Sequence, residues 1–374
     1  RTGLSRQTIS EVVYELETAG WLKPQGRTSG KPGRSAVVYE IDGRAGLAAA
    51  IDLGGTKLNV AIGDLVGNAL AESLVPTDPR GGLHVVDQIA TQVETLADQL
   101  DVTTRELRIA VLGTPGVFQS ETTRIDFVPN IPGLGDIDVP AQLRQRLGVP
   151  VLIENDVNLA ARGEQWRGHG AGIGNFVFIA FGTGVGMGII ADGHLLRGAR
   201  GAAGEIGYLP LGGDPYDPRG FALGTFESAV GSAAIAERYA GFGGQHGLTV
   251  RDIFAALDSG NPAATATVEE TARLMAVAIA AVGAMLDPEV VILGGSIGLR
   301  SELLDAIRHY LPRCTPTPPR IEASVLGNRA ALIGALGVAV ERMHDDLFGV
   351  GGLPVRPILA SVRKPAPLGT STEH

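Results

Sequence analysis

Six consecutive residues, Asp52-Leu53-Gly54-Gly55-Thr56-Lys57, follow an apolar run and combine a carboxylate, two glycines, a hydroxyl and an ammonium. Those parts suit a nucleoside triphosphate: Asp52 for Mg²⁺-bound waters, Gly54 and Gly55 for close backbone approach, Thr56 and Lys57 for phosphate oxygens. The chain has only four lysines, so Lys57 in this turn reads as functional rather than as surface filler. A glycine turn alone is a weak signal, but this one has company. Gly182-Thr183-Gly184-Val185-Gly186 ends the apolar run NFVFIAF, and Gly294-Gly295-Ser296 ends VVIL. A Cβ at such positions blocks both the approach of a phosphate and the positive φ angles a tight turn needs.

A second candidate is Asn155-Asp156, which follows the strand pattern VPVLIEN and precedes the helical run VNLAARGEQW. A carboxylate at a strand end and a helix start is where α/β proteins place reactive groups. Asp156 there could accept the proton of a sugar hydroxyl as it attacks a γ-phosphate. Standing alone it would be read as a simple helix cap.

The elements that must position these groups are strand hairpins. LAAAIDLGGTKLNVAIGD reads as strand, turn, strand, and NFVFIAFGTGVGMGIIADG repeats the plan, which suggests an internal duplication. Helical stretches are expected at His84–Leu100, Val139–Leu147 and Val268–Leu286, and the glycine turns of the strands converge on one cleft between two lobes.

The first segment is different. Ser5 can cap a helix with Ile9, Val12, Val13 and Leu16 on one face and Gly20 as its stop. Trp21-Leu22, a basic stretch containing Lys23, Arg27, Lys31 and Arg34, and the alternating run Ala36–Ile41 then suggest two short strands around a loop. Residues 1–46 hold seven bases and five acids, a basic head on a chain whose net charge is -9. On the helix pattern alone, an amphipathic core helix with a solvated loop would be preferred; the basic hairpin directly after it favours nucleic-acid binding.

Composition sets the limits. With 374 residues, 44% of them hydrophobic, the chain buries a large core, and 53 Gly and 22 Pro without a period imply many tight turns rather than a bundle or fibre. Its single cysteine, Cys314, allows no internal disulfide, and no membrane span or export signal is recognised, so a cytoplasmic location is expected. The histidines show no paired metal-ligand spacing. From about residue 347 the chain turns Gly- and Pro-rich, and a flexible or surface-hugging extension is expected there.

IDLGGTK, GTPGV, VPNIPGL, ENDVNLAARGE, FGTGVGMGI, RGARGAAGEIG and VILGGS, in this order over residues 46–345, resemble the ROK family of repressors and sugar kinases. The resemblance implies an α/β, actin-like (hexokinase/Hsp70-type) two-lobed ATPase fold. It makes Asp156 the catalytic base of an active member. It assigns sugar hydroxyls to Asn130, Asn155, Asp156, Glu205 and Glu227, and phosphates to Asp52, Gly54, Gly55, Thr56, Lys57 and Gly182–Gly186, with adenine near Gly294 and Gly295. ATP with Mg²⁺ is the implied nucleotide. TGLSRQTIS and the helix ending ETAGWL resemble the recognition-helix half of bacterial winged-helix repressors. That nominates Arg6, Gln7, Thr8 and Ser10 for bases and the wing cations for phosphates, the rest of a partial winged helix-turn-helix being expected ahead of Arg1. The expected organisation is 1–44 for this module, 45–160 with about 328–346 for one lobe, 161–327 for the other, and 347–374 for the extension.

One departure stands out. The family commonly follows GEIG with a histidine and a cysteine cluster that bind zinc, whereas here Tyr208, Pro218, Gly220 and Thr225 hold those positions. None is a normal zinc ligand, so no zinc is expected, and Tyr208 enters the sugar site in place of an imidazole. Asp214, Asp217 and Arg219 are polar groups of the altered loop, read as solvated.

Three functions compete on this scaffold: a sugar-responsive homodimeric repressor with operator DNA and a sugar or sugar phosphate as partners, an ATP-dependent sugar kinase, and, remotely, a polymerising or chaperone-like ATPase. The fold alone does not choose. The head before the DLGGTK strand favours the regulator, with weak or no phosphoryl transfer.

Overall fold

A computed structural model describes residues 3–27, 36–119, 122–126, 128 and 130–348. Its frame is two five-stranded mixed sheets of identical plan. In the first, β3 (Leu47–Leu53), β4 (Lys57–Asp64) and β5 (Ala69–Pro76) form an antiparallel meander, and β6 (Leu107–Thr114) and β9 (Val151–Asn155) extend it in parallel, in the order β5-β4-β3-β6-β9. The second repeats this with β10 (Phe176–Phe181), β11 (Val185–Ala191), β12 (His194–Leu195), β13 (Val290–Gly294) and β14 (Arg320–Ala323), in the order β12-β11-β10-β13-β14. The repeated motif seen in sequence is thus a repeated topology. β7 (Val117–Gln119) and β8 (Arg124–Asp126) make a small ribbon beside the first sheet.

Because the first sheet is covered on both faces, β3 reads as a continuous apolar run, in the manner of strands buried on both sides. One cover is α2 (Gly82–Gln99) with α3 (Val139–Leu147); the other is α12 (Ala330–Phe348). The second sheet is covered by a helical layer that includes α6 (Thr225–Val230), α7 (Ser232–Gly241), α8 (Val250–Asp258), α9 (Pro262–Leu286), α10 (Gly295–Gly298) and α11 (Ser301–Tyr310), with the short α5 (Pro218–Leu223) beside α6. α9 begins six residues before the expected Val268, since Asn261 caps it through the Ala264 amide and Pro262 fits its first turn. α2 likewise starts at Gly82 rather than His84.

Between the sheets lies α4 (Asp156–Arg167), which packs on α12 at backbone distance. A Cβ added to Gly334 would stand 1.8 Å from the Leu159 carbonyl oxygen, and one added to Gly163 would stand 2.2 Å from that of Ala330. α4 also presses on β11, where a Cβ at Gly188 would sit 2.7 Å from the Val157 oxygen. Its buried Glu164 accepts from the Ser324 hydroxyl at 2.5 Å and the His169 amide at 2.8 Å, tying the helix to the loop after β14.

The N-terminal head is α1 (Arg6–Thr18) followed by an antiparallel ribbon, β1 (Leu22–Arg27) and β2 (Val37–Ile41). Ser5 caps α1 as expected, and Gly20 takes φ +80° at its end. Tyr39 ties the ribbon to the helix through a 3.0 Å bond to Glu17. The apolar face, however, is not buried: Ile9, Val12 and Leu16 are exposed and Val13 is half-buried. Trp21 instead packs on the α12-side core, and Gly46 lies against Leu65 and Met343. No helix among the described residues is long and apolar enough to cross a membrane.

Replacing Gly334 with Ala should force α4 and α12 apart and destabilise the protein by about 2–3 kcal/mol, the usual range for overpacking a tight contact. Urea denaturation followed by circular dichroism measures it, and a loss under about 0.5 kcal/mol would contradict the crossing described here.

Candidate functional site

The two sheets face each other across a cleft of about 450 Å³ in which three glycine turns meet. Gly54, Gly55 and Thr56 come from the β3–β4 turn, Gly182, Thr183, Gly184 and Gly186 from the β10–β11 hairpin, and Gly295 from the end of β13. Glycine is required here for space: a Cβ on Gly184 would lie 2.4 Å from a Glu227 carboxylate oxygen, and Gly295 holds φ +78° with its Cβ position 2.4 Å from the Phe181 carbonyl. Leaving out these Cβ atoms opens a cradle that suits a phosphate chain. The β3–β4 turn is braced by Thr77, a residue not singled out in sequence. Its hydroxyl donates to the Gly54 carbonyl at 2.7 Å and its amide to that of Thr56 at 3.1 Å.

On the other wall, Asn155 ends β9 and caps α4, accepting from the Val157 and Asn158 amides at 2.9 and 3.0 Å, while its amide donates to the Gly116 carbonyl. Asn155 is therefore the cap, and Asp156 faces the cleft while accepting from the Val157 amide at 2.9 Å. Glu205 and Glu227 reach the cleft from the second half of the chain, and Glu227 accepts from the Val185 amide of the glycine hairpin at 3.0 Å. Asn130 also lines it.

These carboxylates are poorly solvated and repel one another. Burial pushes Asp156 up to about 6, and burial plus the charge of Asp156 pushes Asp52 up to about 7. Glu205 is raised by burial and by Asp156 and Glu227; Glu227 is raised by burial against the opposing Val185 amide bond. Asn59, opposite Asp52 on the ladder, is buried with its Oδ1 lacking a hydrogen-bond partner among the described residues. A carboxylate near 6 is a far better proton acceptor at neutral pH than an ordinary aspartate.

Not every sequence candidate lines the cleft. Asp52 lies beneath it, sensed through Asp156; Lys57 is exposed at the start of β4; and Gly294, packed against the Phe178 ring, is outside the lining. Tyr208, 43% exposed, is also outside the lining; its phenol is raised first by partial burial and then by the charges of Glu205 and Glu227. The loop around it is held by packing and backbone bonds, Gly220 to Asp217 and Gly224 to Gly220 among them. Among the described residues no group of three His, Cys, Asp or Glu side chains could hold a metal ion.

In the head, Arg6, Gln7, Thr8 and Ser10 are exposed on the first turns of α1. Ser10 donates to the Arg6 carbonyl, Thr8 pairs with the Ser5 cap, and Gln7 reaches Glu11. Lys23 sits between Glu40 and Asp42 at 3.6 and 3.7 Å, Arg27 is exposed at the end of β1, and Lys31 and Arg34 lie outside the described residues.

Comparison with known proteins places this geometry. The ROK family profile matches residues 48–342. A glucokinase of Halalkalibacterium halodurans is 33% identical over 79% of this chain and 96% of its own length. A xylose repressor of Caldicellulosiruptor bescii is 24% identical over 91% of this chain and 90% of its own. Among solved structures, a ROK family glucokinase from Streptomyces griseus in complex with glucose and AMPPNP superposes with TM-score 0.67 at 28% identity, covering 79% of this chain and all of that one. A ROK family transcriptional regulator, a homolog of the E. coli MLC protein, shares the fold with TM-score 0.72 at 22% identity, over 90% of this chain and 89% of that one.

Because the native fold raises the affinity of Asp52 and Asp156 for protons above that of the unfolded chain, their contribution to stability is full below about pH 4 and lost as pH rises through 6 and 7. Asp52→Asn removes the larger share. The variant should melt above the parent at pH 8 by an amount equivalent to on the order of 3 kcal/mol, with little difference at pH 4.5. Calorimetric melting at the two pH values decides it; an equal offset at both would mean that Asp52 is ionised throughout.

Proposed function

This chain belongs to the ROK family, and we propose that it is a cytoplasmic, sugar-responsive DNA-binding regulator of carbohydrate metabolism, a repressor whose effector site is the inter-sheet cleft. The reach of the repressor match carries this reading. Residues 46–374 are less than nine-tenths of the chain, so a match covering 91% of it enters the segment that holds α1 and the ribbon. The glucokinase match covers 79%, the share that residues 48–342 make up.

In this reading residues 1–44 form the winged DNA-binding domain of a homodimer on a palindromic operator. Arg6, Gln7, Thr8 and Ser10 face bases in the major groove, while Lys23, Arg27, Lys31 and Arg34 meet phosphates. Residues 45–160 with about 328–346 form one lobe and 161–327 the other, with 347–374 as an extension. Asn130, Asn155, Asp156, Glu205, Tyr208 and Glu227 bind the effector. Several crowded carboxylates favour a ligand that brings hydroxyl donors and disfavour one that brings a phosphate, so the effector class is a free sugar. Regulation follows if that sugar binds the DNA-competent and DNA-incompetent states with different affinity.

A second reading, an ATP-dependent sugar kinase, is favoured by one observation: Asp156, near 6, faces three glycine turns. In it Asp156 takes the proton of the attacking sugar hydroxyl as the new O–P bond forms, and ADP leaves with the electron pair of the broken bond. The glycine turns offer backbone amides to the phosphates; Asp52 and Thr56 would face Mg²⁺ bound with ATP.

The deciding experiment combines thermal shift against glucose and xylose, with and without MgATP, with DNA binding to fragments selected from a random duplex pool. The regulator reading expects a sugar that stabilises the protein and changes DNA affinity at least about tenfold without consuming ATP, and expects Arg6→Ala to weaken selected DNA by about 1–3 kcal/mol. Hexokinase-like turnover abolished by Asp156→Asn, with DNA affinity indifferent to sugar, would replace it with the kinase.

A further inference from the structure

Beside Asp156, an ion pair joins the two halves of the molecule. Glu154, on the edge strand β9 of the first sheet, accepts from Arg197 Nε at 2.7 Å, and Arg197 lies two residues past the end of the short strand β12 of the second. The Glu154 side chain is only 16% exposed. Its other oxygen accepts from the Asn155 amide at 3.0 Å and from Asn158 Nδ2 at 2.9 Å, and Asn158 is buried in the first turn of α4. One carboxylate therefore holds the start of the helix that carries Asp156 and an arginine from the opposite half.

The loop behind Arg197 is compact. The Ala203 amide closes it on the Arg197 carbonyl at 3.0 Å, and Gly198 and Gly201 take φ +75° and +74°. Gly201 lies against Val117 and Phe118 of the first half, and the chain leaves through Gly204, whose carbonyl accepts from the Met187 amide at 2.9 Å, directly into Glu205. The loop is thus anchored at Glu154 on one side and at β11 on the other, with the cleft carboxylate at its end.

We propose that Arg197 and Glu154 form an inter-lobe strap, a pair of positioning residues that sets the separation of Asp156 and Glu205 and so the width of the sugar site. This deepens the sugar-cleft reading and rests on it. Neither residue touches the reacting atoms. Their effect passes through the helix start on one side and the loop on the other, where a misplacement of about 1 Å is enough to weaken a multidentate hydrogen-bonded ligand strongly. A half-exposed ion pair adds little to global stability, so function and stability should separate.

The test uses the full chain and two readouts. Calorimetric titration with glucose and with xylose should show Arg197→Gln and Glu154→Gln each weakening the bound sugar about tenfold or more, the double variant no worse than either single, and Arg197→Lys recovering part of the loss. Melting temperatures should change little. Hydrogen exchange without ligand should quicken in Arg197→Gln at 155–159 and 197–204 together, with α12 unchanged. Unaltered sugar affinity in both single variants, additive losses in the double, or unchanged exchange at those two segments would overturn the strap. If the parent binds neither sugar, the sugar-cleft reading fails for these probes, and the exchange result still decides whether the two segments are coupled.

Discussion

Backbone contact between α4 and α12 at Gly163 and Gly334 is the constraint from which the site follows. With side chains in the way, the axes of two helices stand 8–10 Å apart; without them they approach until the carbonyls touch. The close crossing lets α4 fill the narrow space between two sheets, with α12 on one side and β11 on the other. Its N-terminal residue is Asp156, so the base candidate is fixed by three packed surfaces rather than by a loop. Helix ends built into a scaffold in this way hold chemistry more accurately than loops do.

The same placement explains the electrostatics. A carboxylate at a helix N-terminus is normally stabilised in its charged form by free amides. Here Asn155 takes two of those amides first, one of them Val157's, which Asp156 also accepts. Desolvation outweighs the amide bonds that Asp156 does accept and pushes it toward the proton-bound form, and the charge of Asp156 then pushes Asp52 and Glu205 the same way on top of their own burial. Asp156 in the cleft and Asp52 beside it consequently exchange protons near neutral pH. Such a poise is compatible with both readings proposed above: a base for phosphoryl transfer, or a site for a polyhydroxyl ligand whose donors settle the charged forms.

The parts of this design that are local were readable in the sequence. DLGGTK, GTGVG and LGGS announce themselves because glycine is needed where the backbone itself must approach, and Ser5 announces a helix because its hydroxyl caps the Thr8 amide. Non-local parts were silent. Thr77 braces a turn more than twenty positions earlier, Glu154 meets Arg197 from another sheet, and Gly163 meets Gly334 across nearly half the chain. Each is an ordinary residue in its own segment. Propensity also misjudged the start of α9, where Asn261 and Pro262 outweighed a weak apolar period. The face of α1 shows a further limit: periodicity identified which side is apolar, while burial depends on what lies opposite, and among the described residues nothing covers Ile9 or Val12.

The head is not an appendage on a free tether. Trp21 packs on the core that α12 shares with the first sheet, and its carbonyl accepts from the Asp42 amide at 2.8 Å. Gly43, whose added Cβ would stand 2.3 Å from Asp64, accepts at its carbonyl from the Leu65 amide, and the Leu65 carbonyl in turn accepts from His344 Nε2 at 3.2 Å near the end of α12. One helix therefore touches the head at its C-terminal end and, through the glycine crossing, the helix of Asp156 at the other. A rigid rod in that position passes a rotation of one end to the other with little loss, since close-packed interfaces shift between discrete arrangements rather than deform. In the regulator reading, coupling between a sugar in the cleft and the orientation of α1 requires no long wire of polar contacts. It requires that α4 settle differently on α12 when the cleft is filled, and a contact made backbone to backbone, with no side chain to absorb the change, is the place where such a difference would be transmitted.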